Sequence, residues 1–387
     1  MAAGGKPSPS LWVVLREWGR IGILGFGGPP VHIAMMRERF VESRGWIPPD
    51  QFEDAIAATG LLPGPASTQL SIYCGWRLRG AMGAIVGGLA FIVPGLIAII
   101  ALAALFLSSA PPEVVLAAGA GAGAAVAAVA LSAGAGLVGP SWVRAEGRHR
   151  RWVLYLLLGG VAAAAAGPWV VLVLLAAGFT EVVWRGGSGA AGTTAAFALP
   201  TAVLVLAAAT GGTAALVWVA FKVGALSYGG GFVIIPLMQA DAVDNYGWMT
   251  DADFLNAVAL GQLTPGPVVQ TVAVVGYAAA GVGGALLAAT VAFAPSFAFI
   301  LGGSRHFNTL RANPRVRAFL DGAGPAAIGA ILGVSIPLAA ALSEAWQFAL
   351  LAAAVLLLFP LRRGVVPTLL VSAAAGAVLV AVGAPLP

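Results

Sequence analysis

Residues 226–232 read LSYGGGF and residues 264–267 read TPGP, and the first half of the chain contains a counterpart of each. Residues 24–30 read LGFGGPP and residues 62–65 read LPGP. Each later motif begins 202 residues after its earlier counterpart. Two different glycine- and proline-rich motifs that recur at one common spacing indicate an internal duplication.

The duplication extends beyond these motifs and divides the chain. After a one-residue slip, Pro295 follows Pro94 by 201 residues. We therefore predict an N-terminal repeat over residues 1–185 and a C-terminal repeat over residues 197–387. The linker between them, residues 186–196, is rich in Gly, Ser and Thr.

The composition places the protein in a membrane. Of its 387 residues, 60% are hydrophobic and only 9% are charged, whereas a soluble domain has about 25% charged residues. Apolar runs of the roughly 17–25 residues that cross a bilayer recur along the whole chain. We predict an all-α polytopic membrane protein, embedded in lipid, with about 9–10 transmembrane spans and additional Gly/Pro-broken helices.

The loops of the two repeats differ in charge. Residues 37–50 contain three Arg, whereas the equivalent residues 239–252 contain three Asp and no Lys or Arg. Because Lys and Arg collect in cytoplasmic loops, the two loops should lie on opposite sides of the membrane. The two homologous halves are therefore predicted to form an inverted repeat, an architecture common in secondary transporters.

Two span arrangements satisfy this orientation. If both broken segments of each repeat are re-entrant, the apolar segment 197–210, which has no counterpart in the first repeat, supplies the odd crossing. If the first broken segment crosses fully, segment 197–210 must lie at the surface. The sequence leaves both arrangements open.

The four Gly/Pro breaks predict a shared polar centre. Irregular backbone at membrane depth persists only where protein or a water-filled cavity surrounds it. Free N–H groups at the broken helix ends can bind an anion. The predicted substrate-binding residues at the breaks are Gly27, Gly28, Pro63, Gly64, Pro65, Ser67, Thr68, Gln69, Ser227, Tyr228, Gly229, Gly230, Thr264, Pro265, Gly266, Pro267, Gln270 and Thr271. The alternative is that the glycines and prolines serve only helix packing and kinking.

Two cations occupy equivalent positions in the repeats, Arg20 and Lys222. Charged residues within membrane segments are candidates for function, and we predict that both offset the charge of an anionic substrate. The alternative is that both side chains extend from helix ends to the interface. Asp321 is interpreted as a helix-start carboxylate. His32 is interpreted as a hydrogen-bonded residue of the fold, with a proton relay as the alternative.

Several function classes lack their sequence signatures. The chain contains no GxxxxGK[ST] motif, which argues against an ATP-driven pump. Its single cysteine excludes an intrachain disulfide framework, and its three scattered histidines predict no metal site. No nucleophile–base pair is recognisable. We predict no enzymatic activity, no cofactor and no nucleic-acid partner.

The paired motifs resemble those of a known family. GFGGPP with PGP, repeated as SYGGGF with PGP, is similar to the long, two-domain form of the chromate ion transporter (CHR) family over nearly the whole chain. The resemblance implies a multi-pass protein of the plasma (inner) membrane that exports chromate and confers chromate resistance, with a link to sulfate. It implies a family role for Gly27, Gly28, Pro29, Pro63, Gly64, Pro65, Gly229, Gly230, Pro265, Gly266 and Pro267. Gly231 and Phe232 stand where the first repeat has Pro29 and Pro30, so the copies are not identical.

These observations together predict a secondary transporter for a tetrahedral oxyanion, chromate first and sulfate second. The alternatives are proton-coupled uptake of sulfate or another anion, and a non-transporting membrane scaffold. The sequence leaves open the coupling ion, for which a proton is the candidate, and the formation of a homodimer.

Overall fold

The computed structural model describes residues 9–60, 62, 64–165, 170–186, 212–227, 234–303 and 313–387. Within these ranges every regular element is a helix. The predicted linker, apart from Gly186, and the apolar segment 197–210 lie outside the described residues.

The described part of the first half forms eight helices. They are α1 (Leu11–Leu24), α2 (Pro29–Met36), α3 (Pro49–Thr59), α4 (Ala66–Phe106), α5 (Glu113–Ala124), α6 (Val126–Arg144), α7 (His149–Ala165) and α8 (Val170–Gly186). A π-helical segment, Arg37–Ser43, extends α2. Helices α5 and α6 adjoin at Ala125 within a Gly- and Ala-rich stretch, and together they form one apolar helical stretch, Glu113–Arg144.

The second half repeats this order. Its helices are α9 (Gly212–Leu226), α10 (Ile235–Gln239), α11 (Asp251–Leu263), α12 (Thr271–Gly303), α13 (Pro314–Gly333), α14 (Ser335–Ala340), α15 (Ala345–Leu358) and α16 (Val365–Ala381). A π-helical segment, Ala240–Asn245, extends α10, and a 3₁₀ turn, Val268–Gln270, precedes α12. Equivalent stretches of sequence therefore form equivalent helices.

Helix α4 consists of two antiparallel helices joined by a tight turn. Arg79 and Gly80 leave helical geometry, and Gly80 has a φ of +61°. The chain then returns so closely that a Cβ on Gly75 would overlap the carbonyl oxygen of Gly83. Helix α12 has the same turn at Gly281, also with a φ of +61°. Glycine adopts this conformation readily, which explains why both helices double back at aligned glycines.

Both broken segments of the first half fold back on themselves. The Trp18 ring on α1 stacks on the Phe40 ring of the π segment, with the centroids 4.0 Å apart. Arg77 Nη2 on α4 donates to Gln51 Oε1 on α3 at 3.0 Å. The two arms of each segment therefore lie side by side, which agrees with the re-entrant arrangement.

The two halves interlock through close helix contacts. Helix α13 of the second half packs on α7, where a Cβ on Gly159 would overlap the carbonyl oxygen of Ala326. Helix α5 of the first half packs on α16, where a Cβ on Gly121 would overlap the carbonyl oxygen of Ser372. Small residues permit such approaches between membrane helices. Each half thus completes the helix packing of the other.

Four helical stretches of the described chain are long and apolar enough to cross a membrane. They are Ala66–Phe106, Glu113–Arg144, Val268–Gly303 and Pro314–Ala340. Helices α9, α15 and α16 are shorter and also apolar. The predicted class, an all-α polytopic membrane protein, is confirmed.

Candidate functional site

The chain breaks of the two halves meet each other. The N–H of Gly64, in the first Pro-Gly-Pro turn, donates to the carbonyl oxygen of Ser227 at 2.9 Å. The N–H of Gly266, in the second turn, donates to the carbonyl oxygen of Gly25, also at 2.9 Å. Donors and acceptors are each related by the 202-residue spacing of the duplication. The same hydrogen bond is therefore made twice, once in each direction between the halves.

The glycine of each Pro-Gly-Pro turn has a backbone conformation that other residues rarely adopt. The φ angle is +126° at Gly64 and +96° at Gly266. Proline has no N–H, so this glycine N–H is the only backbone donor within each turn. The N–H groups of Gly64 and Gly266 already donate to carbonyl oxygens. The expectation that the N–H groups at the breaks are free for an anion is therefore wrong at these two positions.

The proline-containing stretches of α4 and α12 form the walls against which the turns pack. Gln270 Nε2 donates to the carbonyl oxygen of Ile92 at 2.7 Å. A Cβ on Gly95 would overlap the backbone of the second turn, and a Cβ on Gly64 would lie 3.1 Å from Ser296 Oγ. Ser296 follows Gly95 by 201 residues, so the two contacts are equivalent.

Gly95 and Ser296 were not among the predicted site residues. They directly follow Pro94 and Pro295, two prolines that are 201 residues apart and therefore equivalent in the repeats. A proline inside a helix removes the hydrogen bond to the carbonyl four residues earlier, and so leaves a backbone carbonyl without its helical partner at membrane depth. This signal in the sequence could have identified both residues.

Polar atoms at the breaks are buried, and several lack partners. Thr68, Gln69, Ser227 and Gln270 are each 0% exposed. Among the described residues no hydrogen-bond partner exists for Thr68 Oγ1, Ser227 Oγ, Gln262 Nε2, Gln270 Oε1 and Ser296 Oγ. Most buried polar groups in proteins are paired. These buried groups at and beside the breaks therefore have hydrogen-bonding capacity for a ligand or for water.

Two predicted threonines use their hydroxyls within the fold. Thr264 Oγ1 donates to the carbonyl oxygen of Leu260 at 2.8 Å. Thr271 Oγ1 donates to the carbonyl oxygen of Val268 at the same distance. Both bonds stabilise the chain around the second Pro-Gly-Pro turn, so these protons are not available to a substrate.

His32 joins the first glycine break to the start of α4. Its Nε2 lies 2.9 Å from the carbonyl oxygen of Gly25, and its Nδ1 lies 3.3 Å from Ser67 Oγ. A carbonyl only accepts, so Nε2 carries the proton and Nδ1 accepts from the Ser67 hydroxyl. The interpretation of His32 as a hydrogen-bonded residue of the fold is confirmed.

The glycines of the first break reach the second Pro-Gly-Pro turn. Gly27 and Gly28 have φ angles of +104° and +78°. A Cβ on Gly28 would lie 3.9 Å from Val268 Cγ2, one residue after the turn ends at Pro267. The remaining predicted residues Pro63, Tyr228, Gly229 and Gly230 lie outside the described residues.

The two predicted cations, Arg20 and Lys222, have different surroundings in the structure. The Lys222 ammonium pairs with the Asp241 carboxylate, and 12% and 4% of these side chains are exposed. Arg20 lies on the exposed side of α1, in a shallow surface groove with Ile23 and Val93. Lys222 is the less exposed of the two, and a carboxylate already balances its charge. A role of either cation towards the substrate stays a prediction.

The centre offers hydroxyl and amide groups rather than charges. The described residues assigned to it above include no Asp or Glu, so an anion would meet no like charge there. Hydroxyl hydrogens and helix starts can replace part of the water that an anion loses. The arrangement is suited to binding an anion through hydrogen bonds.

Comparison with known proteins relates this architecture to a transporter family. The family model described as Chromate transporter matches residues 12–182 and 214–380, and so covers most of both halves. No solved structure matches the chain.

Relatives match over most of their length. The chain is 32% identical to a chromate transport protein of Cupriavidus metallidurans, over 86% of this chain and 84% of that protein. It is 30% identical to a chromate transport protein of Pseudomonas aeruginosa, over 84% of this chain and 80% of that protein. These alignments extend through both halves rather than being limited to one motif.

Proposed function

This chain belongs to the chromate transporter family, and we propose that it exports chromate across the plasma membrane, with sulfate as a second substrate. Both ions are tetrahedral divalent oxyanions, so one set of hydrogen bonds can accommodate either. Export would confer chromate resistance on the cell. The family assignment establishes a membrane transporter, and the direction and the sulfate specificity are our proposals.

The observation that supports the proposal is the set of buried polar atoms at the breaks that lack hydrogen-bond partners among the described residues. Thr68 on one half and Ser227 on the other each bring a hydroxyl that can donate to an oxyanion. Gln270 Oε1 can only accept, so it would bind a water or the proton of a hydrogen chromate ion. Binding would thus satisfy groups from both halves at once.

We propose efflux because of the membrane potential. Moving one charge through 100 mV is worth about 2.3 kcal/mol, so a dianion that leaves a negative-inside cell moves downhill. Export therefore requires no ATP. Uptake would require coupled cations, for which protons are the candidate.

We also propose that the two halves are inverted relative to each other. The three Arg of loop 37–50 and the lack of any Lys or Arg in loop 239–252 support this orientation. The reciprocal bonds from Gly64 to Ser227 and from Gly266 to Gly25 support a two-fold relation between the halves. Inverted repeats permit a central site to face either side of the membrane in turn.

The test is flux of labelled chromate and sulfate in proteoliposomes that contain the purified full-length chain, with the membrane potential clamped at either sign. We expect chromate flux that reverses with the potential and that sulfate inhibits competitively. Flux that instead depends on a proton gradient would assign proton-coupled uptake. Correctly inserted protein that neither transports nor binds an oxyanion would contradict the proposal and favour a scaffold.

A further inference from the structure

A cavity of about 580 Å³ lies beside α3, outside the centre described above. Its walls come from α3, α6, α7, α8 and α13, and it reaches the first Pro-Gly-Pro turn at Gly64. Pockets for small molecules have volumes of roughly 300–1,000 Å³. The cavity is therefore large enough for a hydrated oxyanion.

The cavity is strongly basic. Its lining includes five arginines, Arg144, Arg148, Arg151, Arg185 and Arg317. Only two carboxylates, Glu181 and Asp321, line it, which leaves a formal charge of +3. The planar guanidinium group donates pairs of hydrogen bonds that match the oxygens of an oxyanion.

The Asp321 carboxylate forms ion pairs with two of the arginines. Its Oδ2 accepts from Arg148 Nη1 at 3.0 Å and from Arg185 Nη2 at 2.8 Å. The residue lies seven positions after Pro314, where α13 begins, and its partners belong to the other half. The interpretation of Asp321 as a helix-start carboxylate is therefore wrong, because arginines brought in by tertiary packing bind its side chain.

Arg151, which lines the cavity, has one guanidinium nitrogen that is not hydrogen-bonded among the described residues. Its Nη2 lies 3.4 Å from Oε1 of Glu181, a side chain that is 2% exposed. The guanidinium carbon lies 5.1 Å from the ring centroid of Trp184. Its Nη1 is buried and has no hydrogen-bond partner in the part of the chain that the structure describes. A buried donor of this kind is costly unless a ligand or water pairs with it.

In the part of the chain that the structure describes, the gap between α3 and α13 has no counterpart between α11 and α5. Helix α11, the counterpart of α3, packs directly on α5, where a Cβ on Gly123 would lie 3.2 Å from Asn256 Oδ1. Helices α3 and α13 instead face each other across the cavity, through residues such as Ile56 and Leu320. Access to the Pro-Gly-Pro turns is thus available from the arginine-rich side.

We propose that this arginine-lined cavity is the cytoplasmic access site for the transported oxyanion, which displaces the Asp321 carboxylate from Arg148 and Arg185 on its way to Gly64. This inference rests on the proposed function, because it assigns a substrate of the same chemistry. The cytoplasmic side follows from the arginines themselves, since Lys and Arg collect there. Export requires an access site on that side.

The test compares the chromate KM of single variants in inside-out proteoliposomes. Arg148→Gln and Arg151→Gln should raise KM about tenfold or more, because each loses a hydrogen bond to a charged ligand. Asp321→Asn should lower KM, because it removes the negative charge that competes with the oxyanion for the arginines. A misfolded variant would not bind chromate more tightly, so a lower KM indicates competition. Arg150→Gln is the matched control: Arg150 belongs to the same basic segment but does not line the cavity.

The outcomes separate the access site from the transport function. If the wild type transports chromate and the KM of Arg148→Gln and Arg151→Gln is unchanged, the access site is overturned and the proposed transport function still holds.

If the wild type shows no flux, binding of labelled sulfate to the purified protein is measured instead. Binding that is lost in these two variants and kept in Arg150→Gln supports the site, and any other pattern overturns it. A KM effect that requires anionic lipid and is absent in phosphatidylcholine vesicles would assign the arginines to lipid phosphate, and would also overturn it.

Discussion

Thr68 and Thr271 are buried threonines that follow the two Pro-Gly-Pro turns, but their hydroxyls differ in what they bind. Thr271 Oγ1 donates to the carbonyl oxygen of Val268. Thr68 Oγ1 has no hydrogen-bond partner among the described residues. Removing a hydroxyl that stabilises the fold should lower stability, whereas removing a hydroxyl that is available to a ligand should weaken ligand binding.

Thr68→Val is expected to leave thermal stability unchanged or slightly raised and to increase the chromate KM several-fold, because it removes a hydroxyl that the empty protein does not use. Thr271→Val should lower stability by about 1 kcal/mol, because the Val268 carbonyl loses its donor. Thermal melting in detergent and flux in proteoliposomes measure the two effects. A KM that Thr68→Val does not change would remove Thr68 from the binding site.

Gly64→Ala is expected to abolish flux. The added Cβ would clash with the Gln69 side chain, and a φ of +126° disfavours any residue but glycine. Gly80→Ala is the control, since Gly80 also has a positive φ but no atom lies within 4 Å of its added Cβ. Gly80→Ala should lose some stability and keep its chromate KM. Equal flux in wild type and Gly64→Ala would show that the turn geometry is not needed for transport.

In each half, an ion pair with a buried carboxylate joins the first helix of the first broken segment to the π-helical segment that follows it. In the first half Glu17 on α1, 2% exposed, binds Arg39 at 2.5 Å and Arg44 at 2.7 Å on the following segment. In the second half Lys222 on α9 binds Asp241. The cation and the carboxylate have exchanged elements between the repeats: Arg39 and Asp241 are related by the 202-residue spacing, whereas Glu17 and Lys222 are not aligned with each other.

Lys222→Met is expected to destabilise the protein by about 3–5 kcal/mol, because it leaves the buried Asp241 carboxylate without an opposite charge. The double variant Lys222→Met/Asp241→Leu should recover most of this loss. Thermal melting of purified variants measures both. Arg37→Met is the control, because its ion pair with Glu53 is exposed and is worth about 0–1 kcal/mol. A double variant as unstable as the single would argue that Lys222 acts through other contacts.

At the scale of the whole molecule, each half packs on helices of the other. Helix α13 packs on α7 and α8, and helix α5 packs on α16. The breaks are also joined across the halves, through the bonds of Gly64 and Gly266. A half on its own would therefore expose both its helix-packing faces and its broken backbone.

Residues 1–190 and 191–387, expressed together as separate chains, are expected to copurify and to restore chromate flux, because most of the contacts between them are made by packed helices. Either piece expressed alone should be degraded or inactive. Affinity purification through a tag on one piece, followed by reconstitution, provides the measurement. A first piece that is stable and active alone would contradict the interlocked arrangement.

The membrane class, the duplication and the four breaks could all be predicted from the sequence, because each depends on local composition or on spacing along the chain. Gly80 and Gly281 form the same turn because both occupy the same position in the repeat. The resemblance to the chromate transporter family, which rests on the paired motifs, is confirmed. The residues at the breaks stay predicted as a binding site, although the structure brings those it describes together.

Only the tertiary structure decided which polar groups are paired and which are available. Arg148 and Asp321 are 173 residues apart in sequence and meet because α13 packs on α7. Lys222 is half-buried in an ion pair with Asp241, while its aligned counterpart Arg20 is exposed, a difference that the matching positions could not reveal. Spacing along a chain determines local backbone geometry, whereas partners, burial and cavities depend on how distant helices pack.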